Sequence, residues 1–166
     1  TTHYRQHRDV TFAELARLLG AAYARLVQAF KPVTVQSVRL NTNPYTCIAL
    51  TAEYSDMVYY SEKYEFAAMH KLWNTQLDDA TNNELFGKCA NPSGHGHNYI
   101  VEVTVKSDTL ERLDTLQMQR IIDERVIGQL DHTNLNVDIP YFHTTNPTIE
   151  NIAKYAWERL EDRFAP

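Results

Sequence analysis

Apolar residues at helical spacing predict an amphipathic helix near the start of the chain. They recur at intervals of three and four residues and share one helix face: Phe12, Leu15, Ala16, Leu19, Tyr23 and Leu26. Thr11 and Glu14 have the spacing of a capping box, in which each side chain accepts the backbone N–H of the other residue. We therefore expect the helix to begin just after Thr11 and to end before Pro32.

The residue pattern predicts four strands in the middle of the chain. Residues 33–41 alternate, and a turn-forming segment separates them from a second strand over residues 46–54, which favours a hairpin. A third strand, rich in Tyr and Phe, is expected over residues 58–69, and a half-buried fourth strand over residues 98–105. Between these two, residues 74–94 are mostly polar and contain one proline and two glycines, so we expect a long functional loop.

Two further helices are expected in the second half of the chain. Apolar residues from Leu116 onwards suggest a helix that closes near Leu130. Asn146 is a suitable cap for a last helix, with Pro147 in its first turn. The expected buried face of this last helix consists of Ile149, Ile152, Ala153, Ala156, Trp157, Leu160 and Phe164.

Composition restricts the classes of protein and partner. A chain of 166 residues with 43% hydrophobic residues can bury one core, and 22% charged residues is ordinary for a globular protein. The net charge of −5 provides no overall attraction to nucleic acid or anionic membranes, so neither is an expected partner. No apolar run approaches the ~20 residues that span a bilayer. Two cysteines outside any CxxC pair suit a reducing cytoplasm.

The segment of residues 94–98 carries the sharpest chemical signal. On an extended chain His95 and His97 point to the same face, about 6.5 Å apart along the strand, so one small cation can take both imidazoles. His70, at the end of the preceding strand, approaches this pair if the strands are antiparallel neighbours. Three histidines and one open position are typical of a catalytic zinc site. The alternative is two loop histidines beside flexible glycines.

Two other places hold candidate nucleophilic or acid–base residues. A short linker can bring the thiol of Cys89 back towards a metal on the histidines, where the thiolate would be favoured. Asp131 and His132 follow a helix, and in a loop the carboxylate can orient the imidazole as a general acid or base. The structural alternatives are an inert core cysteine, a helix-end aspartate and a solvent-facing histidine.

Four segments together resemble the 6-pyruvoyl-tetrahydropterin synthase family. They occur in the family's order and spacing and comprise residues 66–72, 85–99, 130–136 and 146–151. The resemblance spans about residues 64–160. The gap between Cys89 and His95 is like that of the pyruvoyl enzyme, whereas the related 6-carboxytetrahydropterin synthase usually has a shorter gap.

The resemblance implies a reaction and a role for individual residues. It implies that zinc is bound by His70, His95 and His97, and that a catalytic triad is formed by Cys89, Asp131 and His132. The implied substrate is 7,8-dihydroneopterin triphosphate, which loses triphosphate while its side chain becomes the dicarbonyl of 6-pyruvoyl-tetrahydropterin. Candidates for holding this substrate are Glu150, Thr148, Lys88 and Asn41.

The ends of the chain depart from the family's pattern. The family continues after its last helix with two strands, and the first of these carries a glutamate that anchors the pterin. Here a similar segment lies near the front of the chain, and Asn41 takes the place of that glutamate. We therefore expect residues 1–56 to be a degenerate helix and hairpin, and residues 57–166 to be the zinc-binding body. Together they are expected to form one globular unit. The chain is expected to be a fragment, a part of a tandem protein or a permuted form of the family's fold.

The fold implied by the resemblance is α+β. It is the tunnelling fold, a four-stranded antiparallel sheet with two long helices on one face, here with an extra N-terminal helix. Family members close their sheets into a barrel, with active sites between subunits, so we expect a homo-oligomer, a hexamer, in the cytoplasm. Two other functions are open: a 6-carboxytetrahydropterin synthase with the same substrate, and a non-catalytic pterin- or purine-binding module, which the asparagine at position 41 motivates.

Overall fold

The computed structural model describes residues 11–108 and 113–164, which divide between two units. Unit 1 comprises Thr1–Lys63 and Glu102–Leu113, and unit 2 comprises Tyr64–Val101 and Asp114–Pro166. Two long strands, β3 (Val58–His70) and β4 (His95–Ser107), contribute residues to both units. None of the helices in the described residues combines the length and the apolar character that crossing a bilayer requires.

Unit 1 begins with helix α1 (Phe12–Ala29), which is the expected additional N-terminal helix. Its capping box is present: the Glu14 N–H donates to the Thr11 hydroxyl at 3.2 Å, and the Thr11 N–H donates to the Glu14 carboxylate at 2.9 Å. Of the predicted apolar face, only Leu19 is buried. Phe12 makes an edge-on contact with Tyr60, with ring centroids 4.9 Å apart.

The hairpin of unit 1 consists of β1 (Ser37–Asn41) and β2 (Thr46–Thr51), paired antiparallel as predicted. Strand β1 begins later than expected, and before it the Val35 carbonyl accepts the Tyr23 hydroxyl at 3.2 Å. Within unit 1 the strand order is β1, β2, β3, β4. Strand β2 supplies the most buried side chains of the hairpin, which are Ile48, Ala49 and Leu50.

Unit 2 contains a short helix where a loop was expected. Residues 74–94 include helix α2 (Asp79–Phe86) and a 3₁₀ turn (Gly87–Ala90), so the prediction of one long loop is wrong. The helix escaped prediction because it has no apolar stripe: its only buried side chain is Asn82. This polar side chain is fully buried, and its amide donates to three backbone carbonyls of the same segment.

The predicted middle helix of unit 2 is present and ends at Leu130. It consists of α3 (Thr115–Ile122), a π-helical turn (Asp123–Ile127) and α4 (Gly128–Leu130). Its buried residues are spaced by four and comprise Met118, Ile122, Val126 and Leu130. The chain then forms a two-residue strand, β5 (Thr133–Asn134), which pairs in parallel with Ala68 and Met69 of β3, and a short helix, α5 (Leu135–Asp138).

The last helix of unit 2, α6 (Ile149–Leu160), begins later than predicted. Thr148 is its cap and accepts the Asn151 N–H, whereas Asn146 accepts the Trp73 N–H at 3.0 Å and belongs to the preceding loop. The predicted cap at Asn146 is therefore wrong, and Pro147 precedes the helix rather than lying in its first turn.

The predicted buried face of α6 is wrong at three positions, Ile149, Ala153 and Trp157, which are exposed, and Phe164 lies beyond the helix and is half-buried. Ile149 is 61% exposed and Trp157 is 68% exposed, with the indole N–H bonded to Glu161 at 2.7 Å. Tyr155, which the prediction left out, is buried because its ring packs against Phe142 with centroids 5.4 Å apart. The α+β class with a mostly antiparallel sheet is confirmed.

Candidate metal centre and acid–base pair

Three histidine side chains of unit 2 converge at the junction of β3 and β4. His70 ends β3, and His95 and His97 stand at the start of β4, two residues apart on one face of the strand. One nitrogen from each ring lies within 4.8 Å of the other two. The ring centroids are 4.5 to 4.9 Å apart and the ring planes are nearly perpendicular. The cluster therefore presents three nitrogens to a common point.

The tautomer of His70 is fixed by a backbone carbonyl. Its Nδ1 lies 2.8 Å from the Pro147 oxygen, which can only accept, so Nδ1 carries the proton. The Nε2 lone pair then faces His95 Nε2 at 3.2 Å. Burial lowers the pKa of His70, which favours the neutral ring. A neutral imidazole whose second nitrogen donates to a carbonyl is the usual form of a metal-binding histidine.

The donor set fits a zinc ion. Three neutral imidazole nitrogens with a remaining open position are the ligand set of catalytic zinc. His95 adds a second indication, since its Nδ1 is buried and has no hydrogen-bond partner among the described residues. The other nitrogen of this ring, Nε2, lies 3.2 Å from His70 Nε2. The three residues predicted as metal ligands are thus brought together.

Gly94 allows β4 to approach β3 at the metal centre. Its φ of +68° is in the left-handed region, and a Cβ placed on it would lie 2.8 Å from the His70 carbonyl oxygen and 3.2 Å from Met69 Cε. Gly96 has more room, because a Cβ there would first meet the Ala68 carbonyl oxygen at 3.9 Å. A substitution that adds a Cβ is therefore expected to disturb the structure more at Gly94 than at Gly96.

Gly94→Ala is expected to destabilise the protein by about 2 kcal/mol or more, because the methyl group meets a backbone atom and the φ is unfavourable. The thermal midpoint should fall by about 4–8 °C, and Co²⁺ affinity should fall with it because the His70 carbonyl is displaced. Gly96→Ala is the matched control and should change both quantities much less. Equal effects of the two substitutions, measured by thermal unfolding and Co²⁺ titration, would contradict this explanation.

The thiol of Cys89 lies beside the histidine cluster. Cys89 is in the 3₁₀ turn after α2, and its Sγ is 3.6 Å from His95 Nε2. The thiol is half-buried and free, and the Cys89 carbonyl accepts the Leu72 N–H at 2.8 Å. Cys47, the other cysteine, belongs to β2 in unit 1. The short linker before His95 does return Cys89 to the cluster.

Asp131 and His132 form a hydrogen-bonded pair that is attached to β3. Asp131 Oδ2 lies 2.8 Å from His132 Nδ1, and its Oδ1 accepts the Ala67 N–H at 2.8 Å. The His132 N–H donates to the Ala67 carbonyl at 2.6 Å, which holds His132 at a φ of 58°. The His132 side chain is 83% exposed. Its Nε2 is therefore available to a molecule that approaches from solution.

The pKa of Asp131 is lowered by the Ala67 N–H and then by His132, which both donate to the carboxylate. A lowered pKa means that this carboxylate stabilises the fold above the unfolded value of about 4, and that the contribution disappears as pH falls through the native pKa. Asp131→Asn should therefore be less stable than the unmodified chain at pH 7, with a difference that shrinks towards pH 2.

Urea unfolding of the two proteins between pH 2 and 7 measures this difference. Asp56→Asn, in an exposed turn of unit 1, is the matched control for losing one carboxylate. A stability difference for Asp131→Asn that is constant with pH would mean that the carboxylate's charge contributes nothing.

The candidate substrate-binding residues lie in three places. Thr148 and Glu150 begin α6, directly after the Pro147 carbonyl that fixes His70, and the pKa of Glu150 is lowered first by its own backbone N–H and then by the Thr148 hydroxyl. Lys88 is exposed in the turn that holds the cysteine, and Asn41 is exposed at the end of β1 in unit 1. Sequence reasoning missed the carbonyl contact to His70, because a backbone atom carries no residue-type signal.

Comparisons with known proteins agree with the motif resemblance. Residues 59–166 match the family model described as 6-pyruvoyl tetrahydropterin synthase. The 6-pyruvoyl tetrahydrobiopterin synthase of Homo sapiens is 41% identical over 105 residues, which cover 61% of this chain and 72% of the human protein. The 6-carboxy-5,6,7,8-tetrahydropterin synthase of Aquifex aeolicus is 27% identical over 130 residues, covering 63% of this chain and 79% of that protein.

A solved structure gives the same result. The structure of Caenorhabditis elegans 6-pyruvoyl tetrahydropterin synthase matches with a TM-score of 0.61 at 34% identity, covering 66% of this chain and 81% of the other. The stretch that matches the family model contains every predicted site residue except Asn41.

Proposed function

The chain belongs to the 6-pyruvoyl tetrahydropterin synthase family, and on that premise we propose that it converts 7,8-dihydroneopterin triphosphate to 6-pyruvoyl-tetrahydropterin with loss of triphosphate. The predicted enzyme class, a carbon–oxygen lyase like this synthase, agrees with the names of its relatives. The observation that carries the proposal is the Cys89 thiol 3.6 Å from a ring of the three-histidine cluster. This arrangement places a candidate base next to a candidate metal.

In this proposal His70, His95 and His97 hold Zn²⁺. When bound, zinc supplies Lewis-acid polarisation of the substrate's side-chain hydroxyl groups, which makes them and the adjacent carbon acidic. The protein's own contribution is to keep the His70 ring neutral and oriented, through its hydrogen bond to the Pro147 carbonyl.

Cys89 is the proposed base for the first proton transfer. Its Sγ lies 3.6 Å from His95 Nε2, and its thiolate, which a nearby positive charge would favour, can accept a C–H proton from the substrate's side chain. When the proton leaves the carbon next to the one that carries triphosphate, its electron pair forms a C=C bond as the C–O bond to triphosphate breaks. Later proton transfers convert the side-chain alcohols to carbonyls while the pterin ring is reduced, so the sequence requires no external oxidant.

The Asp131–His132 pair is the proposed proton shuttle. Asp131 accepts from Nδ1 of His132 and thereby leaves Nε2 as the acceptor in the neutral ring. Since Asp131 is itself bound to the Ala67 N–H, the imidazole is held in one orientation relative to β3. An exposed ring with a fixed tautomer can take a proton from the substrate and return it to another atom.

The remaining roles in the proposal concern binding and assembly. Glu150 and Thr148 would hold the N–H groups of the pterin, and Lys88 a phosphate. Asn41 stands where the family's anchoring glutamate is expected and offers a neutral amide instead. A cytoplasmic hexamer with sites between subunits remains part of the proposal, as does the origin of residues 1–56 from a degenerate family unit.

The Aquifex aeolicus relative favours a second candidate, the formation of 6-carboxytetrahydropterin from the same substrate. The two activities share the substrate and differ in the product, so one assay separates them. A non-catalytic pterin- or purine-binding module is the third candidate, motivated by Asn41.

The deciding experiment is incubation of zinc-loaded protein with 7,8-dihydroneopterin triphosphate, with the products identified by mass. 6-Pyruvoyl-tetrahydropterin and inorganic triphosphate are the expected products. 6-Carboxytetrahydropterin would favour the second candidate. If metal analysis shows full zinc occupancy and the substrate is unchanged, the lyase proposal fails and the binding module is favoured.

A further inference from the structure

The chain between β3 and α2 is held by asparagine side chains rather than by regular secondary structure. We call residues 71–74 the strap, because they run from the metal centre to the helix that precedes Cys89. The strap's backbone N–H groups at Lys71, Trp73 and Asn74 donate to three side-chain oxygens, those of Asn136, Asn146 and Asn82. Each asparagine side chain thus accepts a backbone N–H that a neighbouring strand would accept in a sheet.

Asn136 makes the tightest of these contacts. The Lys71 N–H donates to its Oδ1 at 2.7 Å, and its Nδ2 donates to the Lys71 carbonyl at 3.0 Å. Both polar groups of one backbone residue are therefore satisfied by one side chain. Because Lys71 directly follows His70, this paired contact fixes the chain immediately beyond a candidate metal ligand.

The next residue of the strap reaches Cys89. The Leu72 N–H donates to the Cys89 carbonyl at 2.8 Å. A short path of covalent and hydrogen bonds therefore connects Asn136, Lys71, Leu72 and Cys89. A shift of the Lys71 backbone would be transmitted to the turn that carries the thiol.

Asn136 is also close in the chain to the acid–base pair. It lies four residues after His132, and its own N–H donates to the Asn134 side chain at 3.1 Å, at the start of α5. One residue is thus attached to the segment that presents His132 and to the strap that links His70 with Cys89. The sequence alone does not show this, since positions 71 and 136 are 65 residues apart.

We propose that Asn136 is a positioning residue, which sets the location of the Cys89 thiol relative to the histidine cluster by holding the Lys71 backbone. The inference rests on the proposed function in one respect only, that Cys89 and a metal on the histidines act together. Asn136 itself need not touch the substrate.

Asn82 is an asparagine with a purely structural role, and it serves as the comparison for Asn136. It is fully buried and holds the far end of the strap through the Asn74 N–H. Its amide also donates to the Asn74, Leu77 and Asp78 carbonyls at the start of α2. Removing Asn82 leaves buried backbone groups unpaired, so it should lower stability without changing the bonds between Lys71, Leu72 and Cys89.

The experiment measures the effect of Co²⁺ on the alkylation of Cys89 by iodoacetamide at one fixed pH, with the modified cysteine assigned by peptide mass. The quantity measured is the ratio of the alkylation rates with and without Co²⁺. In the unmodified chain this ratio should differ from one by about tenfold or more, because the thiol lies 3.6 Å from His95 Nε2 and a metal on the histidines alters its reactivity. In Asn136→Ala the ratio of the alkylation rates with and without Co²⁺ should lie within about twofold of one. The Co²⁺ absorption bands should also shift, as the ring of His70 changes its position.

Two further variants distinguish positioning from stability. Asn136→Asp keeps the oxygen that accepts the Lys71 N–H and loses the donor, so its ratio should lie between those of the alanine variant and the unmodified chain. It also tests the proposal if the alanine variant does not fold. Asn82→Ala should melt at a lower temperature and keep the full ratio.

Either of two results would overturn the inference. The first is a folded Asn136→Ala or Asn136→Asp with the ratio of the unmodified chain. The second is an unmodified chain whose Cys89 reactivity is indifferent to bound Co²⁺. Neither readout requires turnover, so failure of the lyase proposal in the product assay would be seen separately.

Discussion

Cys89→Ala is expected to lower the turnover of 7,8-dihydroneopterin triphosphate by about 10²–10⁴-fold, the range for removing a general base, while the zinc content stays unchanged. The reason is the position of the thiol, which lies next to His95 but outside the three-nitrogen set. Steady-state kinetics and metal analysis on the same sample provide the measurement.

Cys47→Ala is the matched control for Cys89→Ala. Cys47 is the other free cysteine, and it belongs to β2 of unit 1, where its Sγ lies 3.6 Å from the Ile48 carbonyl. Its removal should change neither turnover nor zinc content. If Cys89→Ala loses zinc together with activity, the thiol is a fourth ligand and the assignment as a base is wrong.

His97→Ala is expected to weaken metal binding by about 10²-fold or more. If about 10 kcal/mol of binding free energy is shared by three imidazoles, each contributes about 3 kcal/mol. His97 is the informative ligand to remove, because the contact to the Cys89 thiol is made by His95 and remains in place. Competition of a chromophoric chelator for Zn²⁺ measures the change in affinity.

Thermal unfolding gives a second measurement of the same loss. Zn²⁺ at 100 times its dissociation constant stabilises a folded protein by about 2.7 kcal/mol, so the unmodified chain should melt at a higher temperature with zinc than without it. The shift should largely vanish in His97→Ala. His143→Ala is the matched control, since His143 is exposed and bonds only the Val137 carbonyl among the partners found. A zinc-dependent shift that survives in His97→Ala would exclude this residue from the metal site.

The histidine cluster could be predicted from the sequence because strand geometry is local. Residues two apart on a strand share a face, which brings His95 and His97 together whatever the rest of the fold does. His70 required one further assumption, that the strand it ends lies beside theirs. The linker between Cys89 and His95 has only five residues, which restricts the distance between the thiol and the histidine cluster.

The features that sequence reasoning missed depend on polar contacts between distant backbone and side-chain atoms. Helix α2 buries an asparagine instead of an apolar stripe, so hydrophobic periodicity could not find it. Asn146 has the residue type of a helix cap, but its side chain accepts the Trp73 N–H of the strap, and Thr148 is the cap of α6. Tyr155 is buried by aromatic contacts that a simple apolar count ignores.

The hydrogen bond from His70 to the Pro147 carbonyl has a consequence for the order of assembly. It joins positions 77 residues apart in the chain, and closing so long a loop costs more entropy than forming the β3–β4 end alone. High contact order places such an interaction late in folding. A nascent chain that ends before residue 147 lacks this acceptor, so its His70 ring exchanges between the two neutral tautomers and gains a fixed one only when the later segment has been added.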